Sequence, residues 1–354
     1  MIEVKVPGKL YIAGEYSVVM PGHKSVAIAI DKFITVKLKE STHRGTIKSY
    51  SNIKLIWSRR DNEIVVEQRD DRFEYIIQAM HICDEFISVK GITPKYYDIE
   101  VLSELESEDG LKYGLGSSAS VVVAVTKAIL QFYKYEYTNM EIFKLATLAS
   151  MKLIMNSSFG DIATVCFTGI VKYRSFDRKF IKKFYEFNGV LKTIELKWNT
   201  LSIEQIKRNK DYKILVGWTK SPASSDNLVR KSINRIKNND DFINRFTSES
   251  DKCVDDFIDA YTSLDFEFLK ESIEKNRMLL LEYSKRYGIE IEKESLHNLI
   301  EISKNLDLAS KTSGAGGGDC GIAISKYDFN TKILEENWNS KGIKMLDLDI
   351  YEEE

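Results

Sequence analysis

Hydrophobic and polar positions alternate through the first third of the chain. Ile34, Val36 and Leu38 share one face of a two-residue period, and Ile53, Leu55 and Trp57 share one face of another, as in antiparallel strands with one side buried. From Ser117 the period lengthens. Val121, Val125, Ala128 and Phe132 form one helical stripe, and Ile142, Leu145, Leu148 and Met151 form a second over 141–155. Residues 162–173 and 190–198 read as strands again, and the polar run 199–210 reads as an inter-domain connection. The remainder predicts a strand at 212–218, helices near 225–237, 241–262, 266–285 and 293–306, and strands at 320–325 and 344–350 around a further helix. Sheet and helix mix within each half. The fold class is therefore α+β, with two domains divided near residue 205, at 1–204 and 205–354.

A chain of 354 residues with 43% hydrophobic content has enough apolar side chains for two ordinary cores. Lysine plus arginine (51) nearly balances aspartate plus glutamate (53), so no overall field points to a nucleic acid or an anionic membrane. Any anionic substrate has to be held by local positive charge. Cys83, Cys166, Cys253 and Cys320 are far apart and have no histidine at ligand spacing, so they read as reduced, buried thiols. His23, His43, His81 and His297 are scattered and fit no triad or metal spacing. The amino terminus has neither a signal-peptide core nor a transit pattern, and no apolar run is long enough to span a bilayer, so a cytoplasmic protein is expected.

Three segments could carry chemistry. In Gly114-Leu115-Gly116-Ser117-Ser118-Ala119-Ser120 a small-residue loop leads straight into an apolar helix, where glycine-exposed N–H groups and the helix N-terminus suit a phosphate. Taken alone, Ser117 or Ser118 fits a helix cap equally well. The same residues match a dinucleotide fingerprint, which would make the chain a nicotinamide-dependent oxidoreductase. Against that, polar Ser103–Lys112 separates the loop from any strand, and Glu136 follows a helix rather than a strand. There is no P-loop sequence and no protein-kinase signature set. In Pro7-Gly8-Lys9-Leu10-Tyr11-Ile12-Ala13-Gly14-Glu15-Tyr16 a lysine between strand segments would point a compact charge into a cleft. Finally, Lys311–Gly321 holds five glycines in eleven residues, a loop able to ring an anion, to bring two backbones together or to act as a hinge.

In this order and at this spacing the three segments resemble the motifs of the GHMP kinases, and the resemblance spans nearly the whole chain. It implies a ribosomal protein S5 domain 2-like fold for the amino-terminal domain and a ferredoxin-like fold for the carboxy-terminal one. It makes 114–120 the ATP loop, with Lys112, Gly114, Leu115, Gly116, Ser117, Ser118 and Ala119 as ATP contacts. In Ser158-Phe159-Gly160-Asp161 it places a catalytic aspartate, Asp161, beside the catalytic Lys9. Tyr16 in place of a histidine, Lys112-Tyr113 before the loop, and the segment Gly217–Ser225 are similar to the bacterial phosphomevalonate kinases within the family. The implied substrate contacts are Lys9, Tyr16, Ser158, Lys220, Ser221, Ser224, Ser225, Gly316, Gly317 and Gly318. Mevalonate kinases place a magnesium-binding glutamate where this chain has Ser150, which leaves Ser118 as the implied protein neighbour of Mg²⁺.

The expected reaction is phosphoryl transfer from MgATP to phosphomevalonate. Both are polyanions, so positioning and charge neutralisation carry the catalysis. The partners expected are these two small molecules, with no nucleic acid and no membrane, in a monomer or homodimer. Mevalonate kinase is the neighbouring alternative. A catalytically dead sensor of the same fold is disfavoured by the presence of both Lys9 and Asp161.

Overall fold

The computed structural model describes residues 1–49, 53–61, 63–68, 70–107, 109–222, 225–236 and 241–353. The first part runs β1 Ile2–Ala13, β2 Lys24–Ser41, β3 Gly45–Lys48, β4 Lys54–Arg60, β5 Glu63–Val66, α1 Glu74–Val89, β6 Tyr96–Ser103, α2 Ser117–Phe132, α3 Asn139–Met151, α4 Gly160–Phe167, β7 Ile170–Arg174, α5 Arg178–Glu195 and β8 Ser202–Ile206. The second runs β9 Tyr212–Trp218, α6 Ser225–Ile233, α7 Asp241–Ser263, α8 Phe266–Tyr287, α9 Glu294–Asn305, β10 Ala309–Thr312, β11 Cys320–Lys326, α10 Thr331–Asn339 and β12 Lys344–Leu346.

Among the described residues the first part forms an eight-stranded sheet ordered β5-β4-β3-β6-β2-β7-β8, with β1 paired to β2. Ile34, Val36 and Leu38 are all buried, as their alternation predicts. Helix α2 is buried almost all round, because it packs between β1 and β2 on one side and α1 and α3 on the other. Capping-box bonds between Thr138 and Glu141 start α3. The second part forms an antiparallel sheet ordered β10-β11-β9-β12, against which α8, α9 and α10 pack. Helix α7 packs on α8 and on β2, where Asp251 accepts from the Lys24 N–H at 2.7 Å and Asp255 from Lys24 Nζ at 2.6 Å. Among the described residues no helix is long and apolar enough to cross a membrane.

Four sequence expectations fail for identifiable reasons. Residues 160–167 form α4 and not the start of a strand, because the run Ile162–Cys166 is wholly buried and has no periodicity to separate strand from helix. The run at 190–198 is the end of α5 and the three residues after it, and the buried Val190, Thr193 and Ile194 follow helical spacing beyond a kink at Gly189. The polar 199–210 segment is more than a connection: β8 pairs with β7 as an edge strand, a position that tolerates polar side chains on both faces. The closing strand stops at Leu346, and the chain then returns to the first sheet. There Ile350 bridges Ile30, and the Tyr351 carbonyl accepts the Gly169 N–H at 2.7 Å. Strand β10, four buried residues, is not visible in the hydrophobic pattern.

Candidate active site

A cleft of about 760 Å³ opens between the two sheets. Its floor starts at a register shift between Pro7 and Gly8 in β1. The shift presses the strand on the 114–116 loop, so that the Lys9 N–H donates to the Leu115 carbonyl at 2.8 Å. A Cβ on Gly8 would lie 2.9 Å from that same carbonyl oxygen, so only glycine fits. The Lys9 side chain then crosses Gly116, where a Cβ would fall 2.8 Å from Lys9 Cε.

Gly116 is the N-cap of α2, at φ 82 and with no side-chain cap. This removes the cap reading of Ser117 and Ser118, which lie in the first turn and line the cleft with Ala119. The unpaired N–H groups of that turn are left for an anion. The dinucleotide alternative also fails, since residues 104–116 intervene between β6 and the helix.

Opposite Lys9, Asp161 sits in the first turn of α4. The preceding Phe159 is a bulky residue in the left-handed region (φ 62), buried and stacked on Phe176 at 6.1 Å. Ser158 fixes this turn: its hydroxyl bonds Tyr11 Oη at 3.2 Å and accepts the Gly160 N–H at 3.2 Å, and its carbonyl accepts from the Tyr173 hydroxyl at 2.7 Å. Backbone strain held this firmly is characteristic of a functional turn. Burial pushes the Asp161 carboxyl above the usual carboxylate range, opposed by the Lys9 ammonium and the Ile162 N–H. Burial likewise pulls the Lys9 ammonium down, opposed by Asp161, Asp319, Cys320 and Glu15. A bound polyanion would restore the charged lysine.

Tyr16, Ser158, Lys112 and Gly114 reach the same cleft. Lys112 is exposed at its rim, and the Tyr16 hydroxyl donates to the Ala315 carbonyl at 2.6 Å. Several predicted residues are placed elsewhere. The Leu115 side chain is core, and its carbonyl serves the site by accepting the Lys9 N–H. Lys220, left-handed at φ 57 and exposed, is not on the cleft wall, and neither is Ser221, whose carbonyl accepts the Asp319 N–H. Ser224 lies outside the described residues, as does the side chain of Ser225.

Gly316, Gly317 and Gly318 do not line the cleft either. They bring backbones together: the Gly317 N–H donates to the Ile291 carbonyl at 2.7 Å, and Cβ atoms on Gly316 and Gly318 would meet Ile291 O at 2.3 Å and Ser221 O at 2.2 Å. The part of the loop facing the cleft is Gly314–Ala315. Ser313 anchors it by donating to the Tyr11 carbonyl at 2.9 Å, and a buried Lys311–Glu15 ion pair lies beneath it.

Arg230 and Asn227 of α6 and Asp319 also line the cleft without having been anticipated from the sequence. No sequence signal could find Arg230, because which face of α6 meets the cleft depends on how that helix docks. Ser150, where a magnesium-binding glutamate was absent, lines the cleft with a buried hydroxyl that has no hydrogen-bond partner among the described residues. Ser118 and Ser150 both line the cleft and offer hard oxygen donors of the kind Mg²⁺ takes alongside phosphate oxygens and water. Among the described residues no cluster of three His, Cys, Asp or Glu could hold a metal alone.

Gly116→Ala tests the loop's role directly. At φ 82 a side chain costs roughly 1–2 kcal/mol, and the new methyl would push the Lys9 stem aside. The expected result is a roughly tenfold fall in turnover, the loss that follows about 1.4 kcal/mol at the transition state, in a protein that remains folded by circular dichroism. Unaltered turnover would mean that Lys9 does not need its place over the loop.

An anion-receiving helix start faced by a lysine–aspartate pair, between two α+β units, defines a phosphotransferase of the GHMP type. The chain belongs to the GHMP kinase family: the models for the GHMP kinases N terminal domain and the GHMP kinases C terminal match residues 74–169 and 267–344. Within it, the chain takes its place among the phosphomevalonate kinases. It is 31% identical to the phosphomevalonate kinase of Streptomyces sp. (strain CL190), over 97% of this chain and 95% of that one. The structure of Streptococcus pneumoniae phosphomevalonate kinase in complex with phosphomevalonate and AMPPNP superposes with a TM-score of 0.87 at 31% identity, covering 99% of this chain and 100% of that one. The mevalonate kinase of Methanocaldococcus jannaschii is 28% identical over 94% of this chain and 95% of that one.

Proposed function

We propose that the cleft transfers the γ-phosphoryl group of ATP to the phosphate of (R)-5-phosphomevalonate. A phosphate oxygen of the acceptor bonds to the γ-phosphorus while the bond to the β,γ-bridging oxygen breaks, giving (R)-5-diphosphomevalonate and ADP. The observation that carries this reading is the distribution of positive charge in the cleft. Lys9 lies at its floor, Lys112 at the rim beside the open helix start, and Arg230 on α6. Two polyanions held in line need separated cations of this kind.

Lys112 and the first turn of α2 hold the ATP phosphates, Lys9 sits between donor and acceptor, and Asp161 orients the Lys9 ammonium. Arg230 takes the acceptor phosphate. Among the described side chains it bonds only the neutral Asn227, at 3.2 Å, which leaves most of its donors for a ligand. Mg²⁺, held by the Ser118 hydroxyl and by ATP oxygens, would supply further charge neutralisation.

An ADP-release assay against phosphomevalonate, mevalonate, homoserine and galactose tests the reading. Phosphomevalonate is expected to be the efficient acceptor, and faster turnover of mevalonate would overturn the assignment. Arg230→Gln should raise KM for phosphomevalonate roughly ten- to hundredfold, the worth of a charged hydrogen bond, with KM for ATP little changed. Equal effects on both substrates would move Arg230 from the acceptor subsite to a general role in the cleft.

A further inference from the structure

Asp319, the last residue before β11, adopts a left-handed backbone conformation at φ 54. Aspartate is tolerated there more readily than most residues, but glycine is the usual occupant. Three hydrogen bonds clamp this backbone. The Thr219 N–H and hydroxyl donate to the Asp319 carbonyl at 2.9 and 3.0 Å, and the Asp319 N–H donates to the Ser221 carbonyl at 2.7 Å. The end of β9 thereby delivers the Asp319 side chain to the cleft wall.

What receives that side chain is the ATP loop. A Cβ on Gly114 would lie 2.5 Å from Asp319 Cβ and 2.7 Å from its Oδ2, and two residues on, a Cβ on Gly116 would lie 2.8 Å from Lys9 Cε. Both glycines have φ 82. The loop thus has two adjacent notches, one filled by the Asp319 carboxylate and the other by the Lys9 stem. The groups facing the Lys9 ammonium are Asp161 from α4, Asp319 and Cys320 from the second sheet, Glu15 from the turn after β1, and the Tyr11 ring, 5.4 Å from Nζ to centroid. Of these, Glu15 is bound to Lys311, and burial holds Cys320 as a neutral thiol. Asp161 and Asp319 pull most strongly on Lys9, and Asp319 fills the notch beside the one that carries the Lys9 stem.

We propose that Asp319 is a positioning residue for Lys9: with Asp161 it brackets the ammonium from opposite sides of the cleft and keeps it aimed between the donor and acceptor phosphates. Asp161 belongs to the amino-terminal part and Asp319 to the carboxy-terminal part, so the bracket is complete only when the two are docked. This inference rests on the role of Lys9 stated under the proposed function.

Two variants test it without disturbing the backbone, since asparagine and glycine both suit a left-handed position. Asp319→Asn and Asp319→Gly should each lower kcat about tenfold with smaller changes in either KM. The alkaline limb of the kcat/KM profile should move down by about one pH unit, the shift expected when a neighbouring carboxylate is lost. Wild-type kcat and pH profile in the glycine variant would overturn the proposal and leave Asp319 as a loop residue. Recovery of both variants at raised Mg²⁺ would also overturn it, by making Asp319 a metal ligand. Lys9→Met is the control. If Lys9→Met is inactive while the Asp319 variants are normal, this inference alone fails; an active Lys9→Met protein removes the role of Lys9 as well.

Discussion

Lys9→Met is expected to lose at least about a hundredfold of turnover, the roughly 3 kcal/mol that one preorganised charge contributes at a transition state. Methionine keeps the length and apolar character of the stem over Gly116, so the fold should survive and the loss should fall on the chemistry. The reason lies in the acceptor. A phosphate monoester with a second pKa of about 6 is already largely dianionic at pH 7, so it has little need of a base and great need of a cation between two repelling phosphates. Asp161→Asn should therefore lose less turnover at pH 8, where the acceptor is fully ionised, than at pH 6, where a proton still has to leave. Steady-state rates of both variants at the two pH values decide the point. An Asp161→Asn protein equally dead at pH 6 and 8, beside an active Lys9→Met protein, would indicate base catalysis on a hydroxyl, and mevalonate would replace phosphomevalonate as the acceptor.

Lys311→Met should destabilise the protein by about 3–5 kcal/mol, the usual result of leaving one member of a buried ion pair alone. Lys311 is fully buried. Its ammonium bonds Glu15 Oε1 and the Thr312 carbonyl at 2.6 Å, and burial holds it below the usual lysine range against the pull of Glu15. Glu15 is itself 3% exposed, with Oε2 unpartnered among the described residues, so the orphaned carboxylate would have no water to turn to. Adding Glu15→Gln should recover much of the loss, because the remaining amide carries no charge to desolvate. The measurement is the denaturant midpoint of the two single variants and the double variant. A loss below 1 kcal/mol in Lys311→Met would show that the pair is dispensable for stability. Activity should fall along with stability, since the pair lies under Gly314 and Ala315, the part of the glycine-rich loop that faces the cleft.

Much of the fold was legible because long amphipathic segments state their period directly. The α2 and α3 stripes, the inward faces of β2 and the helices α7 to α9 all lie where the spacing of apolar residues puts them. Short buried segments were not legible. In α4 every position from Ile162 to Cys166 is buried, which erases the contrast that periodicity depends on. Strand β8 looked like a linker because an edge strand can remain polar, and the return of Ile350 to Ile30 joins residues 320 positions apart without leaving a local trace.

The chain itself determined which side chains the site could draw on: a lysine in a strand, glycines that open a helix start to an anion, and an aspartate after Ser158-Phe159-Gly160. Those are local properties, set by backbone freedom and by the donors left unpaired at a helix terminus. Only the tertiary structure decided which candidates meet. It turned Gly316 to Gly318 toward Ile291 and Ser221, left Lys220 off the cleft wall, and brought Arg230 and Asp319 onto it. The physical reason is that a side chain's place in a cleft between two sheets depends on how those sheets dock. Docking is governed here by contacts such as Lys311 with Glu15 and Lys24 with Asp255, whose partners lie more than two hundred residues apart and follow no spacing rule.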